Sequence, residues 1–231
     1  MAERGIICTG ESVAAILAGR KTQTRRVVTR SNAILDGHKR PTAEHWGQLD
    51  LGSAWVDEGP SPAGNAGPYL KANCARPDCD GAVHRLYPQW SVEQKLWVRE
   101  SFSYREYASD RIESLEPAVW FWADGNPNAH NWTKPKPSIH MPKRASRVLL
   151  EIVDVRVERL QGISPRDAFA EGLRCSCTKP EACPASAELV PKFHTLWDSI
   201  NAKRGFEWAV DPWIWVVTFK LLEPELAAEA A

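Results

Sequence analysis

The sequence predicts an α+β fold: a small β-barrel with flanking helices, formed by one domain over residues 1–231 and carrying two irregular insertions. Three observations predict it. Short strand-like runs are separated by irregular connections, and a helical segment follows the first strand while others precede the last. The longest strand signal also changes phase by one residue, the trace a β-bulge leaves, and bulges bend strands around barrels.

Each element has its own signal. "GIICT", residues 5–9, is a short apolar run that reads as a buried strand. The helix after it, "ESVAAILAG", puts Val13, Ile16 and Leu17 on one face and ends at Gly19. Residues 31–90 are rich in Gly, Pro, Asn and Asp and poor in periodicity, so they read as a loosely structured first insertion with at most a short hairpin. "KLWVRESFSY" alternates Leu96, Val98 and Phe102 against Trp97, Arg99 and Ser101, a strand with the pair Arg99 and Glu100 inside it. "AVWFWAD", 118–124, is its expected neighbour, and 126–137 reads as a loop. In "SRVLLEIVDVRVERL", Val148, Leu150 and Ile152 keep one phase, then Val153, Val155 and Val157 keep the other.

The last third is better punctuated. Ser164 is an N-cap, Pro165 holds the first helical position, Asp167 closes a capping box and Gly172 ends the helix. A second insertion spans about 174–187. "PKFHTLWDSIN" then places Phe193, Leu196, Trp197 and Ile200 at helical spacing. "PWIWVVTFKLL" alternates strongly enough for a strand buried on at least one side, and 223–231 is a tail.

Charge limits the partners. The 29 basic residues equal the 29 acidic ones, which argues against a wholesale nucleic-acid coat. The cations are nevertheless uneven. Residues 1–45 hold eight Lys/Arg against four Asp/Glu, and Lys134–Arg147 holds five with no acid. Most of the eleven tryptophans are expected in the core. No apolar run reaches the length of a membrane span, so no membrane partner is expected. "MAERGIICTG" is too short and polar for a secretory signal, and six cysteines without one point to reduced thiols in a cytoplasm.

"GRKTQTRR", residues 19–26, carries the most specific pattern. By itself, a basic run after a helix is a solvated face set against the helix's negative end. Here Gly19, Lys21 and Arg26 resemble the Gly-x-Lys-x-x-Glu-x-Arg signature of the ASCH superfamily, with Thr24 in place of the glutamate. That substitution is similar to the small bacterial ASCH proteins that hydrolyse N4-acetylcytidine. "LWVRESF", "SIHMPKRASR", "VERLQGISPRDAFAEG" and "LWDSIN" through "DPWIWVVTFK" resemble blocks of phage- and prophage-encoded ASCH-like proteins. One further departure lies before the central strand. The family's turn there is usually Gly-Asp, where this chain has Glu93 and Gln94.

The resemblance implies a PUA-like barrel and catalytic roles for Lys21, Thr24 and, through "LQGISPRDAFAEG", Glu171. Amide hydrolysis needs a nucleophile, a base and a proton for the leaving amine. Thr24 would attack, Lys21 would take its proton and Glu171 would protonate the amine. A lysine accepts a proton only where like charges or burial oppose its own charge, and Arg20, Arg25 and Arg26 are the neighbouring cations in sequence. Arg20, Arg26, Arg99 and His140 are the expected substrate-binding residues, although Arg20 and Arg25 also read as plain solvated side chains, and Arg99 with Glu100 as a buried pair pinning the barrel. The expected substrate is a modified nucleoside or nucleobase in a bacterial host's cytoplasm. The alternative is a non-catalytic RNA- or DNA-binding module, or a ribonuclease.

No metal or other cofactor is expected at this chemistry. Cys74, Cys79 and His84 lie in the first insertion, and Cys175, Cys177 and Cys183 in the second; none has Cys-x-x-Cys spacing. Free thiols are the expectation, and a zinc ion shared by the insertion cysteines is the less favoured alternative.

Overall fold

In the computed structural model, residues 3–36, 41–57, 69–75, 82–105, 118–127, 131–175 and 187–222 are described. They gather into two compact units, one from residues 1–21, 94–151 and 220–231, the other from 22–93 and 152–219. The fold is α+β, strand-rich, with four α-helices and no closed barrel among the described residues.

In the first unit, β1 (Arg4–Ile7) runs parallel to β7 (Lys95–Arg99), pairing Gly5 with Trp97. A Cβ on Gly5 would stand 2.8 Å from the Trp97 ring, so this position needs glycine. Leu96 and Val98 are buried and alternate with half-buried Trp97 and Arg99, as the sequence predicts. The first residues of β10 (Leu149–Arg159) pair antiparallel with the other side of β7. Helix α1 (Gly10–Leu17) is capped by the Thr9 hydroxyl, which accepts from the Ser12 amide at 3.2 Å. It buries Val13, Ala15 and Ile16, while Leu17, expected inside, is exposed. The run through residue 104 is broken into β7 and a separate β8 (Phe102–Tyr104), whose neighbour is β9 (Val119–Phe121) as expected. Phe102, Met141 and Ala145 form a small core behind this ribbon.

In the second unit, β11 (Trp213–Leu222) lies between β10 and β2 (Gln23–Val27), pairing Thr24 with Val217 and Arg26 with Trp215. Its central position explains why Ile214 through Val217 are all buried, on both faces. Leu150 and Ile152 are buried, then Val155 and Val157, so β10 does change phase; the slip leaves Val153 and Asp154 both exposed. Helices α3 (Pro165–Ala170) and α4 (Leu189–Asn201) bring Ala168, Leu189, Phe193 and Trp197 against Val27, Ile214 and Val216. The buried face of α4 follows 189, 193, 197 and 201, leaving the expected Ile200 exposed.

The first insertion is not loose. Here β3 (Ala33–Leu35), β4 (Leu49–Asp57), β5 (Tyr69–Cys74) and β6 (Val83–Pro88) form an antiparallel sheet in the order β3-β6-β5-β4. Two features hid it. The register shifts between Asp50 and Trp55, where the Asp50 carboxylate accepts from the Gly52 and Ser53 amides. Tyr69 with Leu70, and Leu86 with Tyr87, are also buried as adjacent pairs, which erases a period of two. A short helix, α2 (Ala43–Gly47), precedes β4. Arg159 donates to Gly52 O at 2.8 Å and lies over the Trp213 ring, joining this sheet to the rest of its unit. No helix among the described residues is long and apolar enough to cross a membrane.

Candidate active site

The segment carrying the motif begins where α1 ends. Gly19 adopts φ 68°, the left-handed conformation that stops a helix, and its amide returns to Ile16 O at 2.9 Å. The amides of Arg20 and Lys21 then both donate to Ala15 O. Lys21, the last residue of the first segment of its unit, is buried at 6% exposure. In the other unit, Thr22 N donates to Ala170 O at 2.8 Å, and Thr22 O accepts from Phe219 N at 2.8 Å. The first bond holds the residue before Glu171 against the residue that leads into β2.

Strand alternation divides β2 into two faces. Gln23, Arg25 and Val27 share the face of α3 and α4. Thr24, itself buried, and half-buried Arg26 point the other way. Arg25 is not a solvated cation: its side chain is 1% exposed. Its guanidinium donates to Gln23 Oε1 at 3.1 Å, Glu171 Oε1 at 3.2 Å and Glu158 Oε1 at 2.9 Å. Asp167 stands 3.6 Å away, and the Phe193 ring lies below. Arg156 closes the array, donating to Glu158 Oε2 at 3.1 Å and Asp167 Oδ1 at 2.7 Å. Two guanidiniums thus meet three carboxylates. Burial pushes the Asp167 carboxyl up. The Ser164 hydroxyl and the charges of Arg25 and Arg156 together outweigh it and bring the group to about 2.

Glu171 therefore has a defined orientation. It is the C-cap of α3, whose start is fixed by the capping box of Ser164 and Asp167, with Pro165 in the first turn. Gly172 follows at φ 97°, so the chain turns away directly after the carboxylate. Arg25, expected to crowd the lysine with like charge, is instead neutralised by acids within its own unit.

The remaining expected binding residues lie apart from this strand in the chain. Arg20 is half-buried. Arg99 belongs to β7, where its guanidinium donates to Ser138 O at 3.2 Å and to Ile139 O and lies over the Trp97 ring. These carbonyls belong to the 3-10 turn that carries His140, an exposed residue whose amide donates to Pro137 O. Arg99 and Glu100 do not pair, because neighbours on an extended chain face opposite sides. Glu100 is buried against Arg147, which grips it through Nε at 3.0 Å and Nη2 at 3.1 Å and also reaches Asp124. Burial raises the Glu100 carboxyl above the ordinary range, against the lowering effect of Arg147.

Sequence reasoning missed Glu158 and Asp167 as partners of Arg25, and Arg156 as the second cation that shares them. A signal existed in "DVRVER", where charges at 154, 156 and 158 alternate with Val155 and Val157. Alternation of that kind ordinarily marks a solvent-facing side, and here acids and bases from α3 and β2 cover it. Cys8, Cys74 and Cys175 form no disulfide, while Cys79, Cys177 and Cys183 lie outside the described residues, as does the 223–231 tail. Compared with protein-family models, curated proteins and solved structures, the chain matches none of them.

Proposed function

We propose that the chain is an ASCH-like protein of PUA-like architecture that hydrolyses N4-acylated cytidine or cytosine. In this reading the Thr24 hydroxyl adds to the acyl carbonyl while the Lys21 amine takes its proton. The C–N bond breaks as Glu171 relays to the leaving amine the proton that Lys21 took from Thr24, releasing cytidine and an ester on Thr24. Water, deprotonated in turn, hydrolyses that ester to a carboxylate and restores the hydroxyl. No metal takes part at the reacting atoms. Phage or prophage origin and a bacterial host's cytoplasm belong to the same reading.

The observation that supports it most is the holding of Glu171. A buried arginine orients its carboxylate, and a backbone hydrogen bond sets the preceding residue beside Thr22, two positions before Thr24, whose side chain faces the other side of β2 from Arg25. Lys21, Thr24 and Glu171 are all buried, a costly place for a lysine and a glutamate that serve only as surface charge.

A second reading, an RNA- or DNA-binding module or ribonuclease, draws on a different feature. Lys134, Lys136, Lys143 and Arg144 are exposed in a segment without acids. One panel separates the two: N4-acetylcytidine, other N4-acylcytidines and RNA oligomers, scored for product and for binding at several salt concentrations. We expect cytidine release that falls at least about a hundredfold in both Lys21→Ala and Glu171→Ala. Undiminished release in both variants overturns the assignment. RNA binding that weakens steeply with salt, without turnover, favours the second reading.

A further inference from the structure

We infer that His45, Cys74 and His84 form a zinc site that fastens α2 to the neighbouring sheet. It is independent of the hydrolase chemistry. The three ligating atoms all lie within 4.8 Å of one another. His45 comes from α2, Cys74 from the end of β5 and His84 from β6, so the fold gathers residues from positions far apart in sequence. The Nε2 atoms of the two histidines stand 3.2 Å apart. Tetrahedral zinc, with Zn–N distances of about 2.0–2.1 Å, sets two nitrogens about 3.3 Å apart and a nitrogen and sulfur about 3.6 Å apart. The histidine pair already has that spacing. Buried Cys74 closes on it through a small side-chain shift.

The surroundings supply what a zinc histidine needs. His84 Nδ1 lies 2.7 Å from Asp36 Oδ2, so the carboxylate fixes the proton on Nδ1 and leaves the Nε2 lone pair for the metal. Asp36 is itself held: its other oxygen accepts from the Arg85 amide at 2.9 Å, and its backbone takes φ 49°, a conformation that is uncommon for residues other than glycine. Imidazole and thiolate together favour zinc over the oxygen-seeking calcium and magnesium. Binding displaces the Cys74 thiol proton to solvent, and one tetrahedral position is left for water. The site also accounts for α2. Five residues are too few for a helix to persist alone in water, and this one buries no side chain. Metal ligation through His45 adds to the hold that half-buried Trp46 supplies.

The intact chain tests this without reference to catalysis. Zinc is measured after dialysis against a weak chelator, and the metal-free chain is titrated with Co²⁺. We expect about one zinc per chain and, with cobalt, a thiolate-to-metal charge-transfer band. Cys74→Ser abolishes the band, His45→Ala lowers affinity, and Cys175→Ser changes neither. Asp36→Asn keeps the band while weakening affinity about 10- to 100-fold, which tests the site even if Cys74→Ser folds poorly. A folded wild-type chain that retains no zinc and shows no thiolate band overturns the proposal. So does a band that survives in Cys74→Ser.

Discussion

Arg25 shows how a residue in a recognisable motif can take up a role that the motif does not announce. The ASCH signature that the sequence resembles picks out Lys21, Thr24 and, by alignment, Glu171. It says nothing of Arg25, whose partners lie 133 and 146 positions away. Those partners were illegible because acids on β10 and α3 look solvated until the strand and helix are packed together. The network has a measurable acid limb. Asp167 sits at about 2 when folded, below the ordinary aspartate value. The unfolded chain therefore binds its proton more readily, so the stabilisation is complete above about pH 4 and drains away as pH falls towards 2. It amounts to about 2 kcal/mol. Urea unfolding midpoints of the wild type and Asp167→Asn should differ at pH 6 and converge near pH 2. A constant gap across that range would refute the role given to this carboxylate.

At the scale of elements, legibility followed punctuation. The α3 helix was readable because Ser164, Pro165, Asp167 and Gly172 each do what their chemistry favours, and β7 because it alternates cleanly. The sheet of β3 to β6 was not, because a register shift and doubly buried neighbours mask its period. The turn before β7 is a third case. There Glu93 adopts φ 66°, left-handed backbone that favours glycine, and its amide donates to Ile152 O. That conformation costs an ordinary residue about 1–2 kcal/mol, while glycine adds about 0.5–1 kcal/mol of unfolded-state entropy. Glu93→Gly should therefore raise stability by up to about 1 kcal/mol, and Glu93→Val should lower it. Equal thermal midpoints for all three proteins would show that the turn relaxes at no cost.

At the scale of the whole molecule, the sequence reads as one domain with insertions, and the structure has two compact units, neither continuous in sequence. The chain passes between them at 21–22, 93–94, 151–152 and 219–220. Composition does not change at those points, so nothing local marked them. The expected consequence concerns fragments. Residues 22–93 alone contain β2 without β11, and Val27 without Leu160, Phe193 or Ile214. Such a fragment should show no cooperative unfolding by circular dichroism, whereas the full chain should. The long separation between Arg25 and its acids carries a kinetic meaning as well. A guanidinium that meets its counter-ions only after loops of more than a hundred residues have closed gains little from them early in folding. Those contacts act as a latch on departure from the native state, so weakening them speeds unfolding far more than it slows refolding.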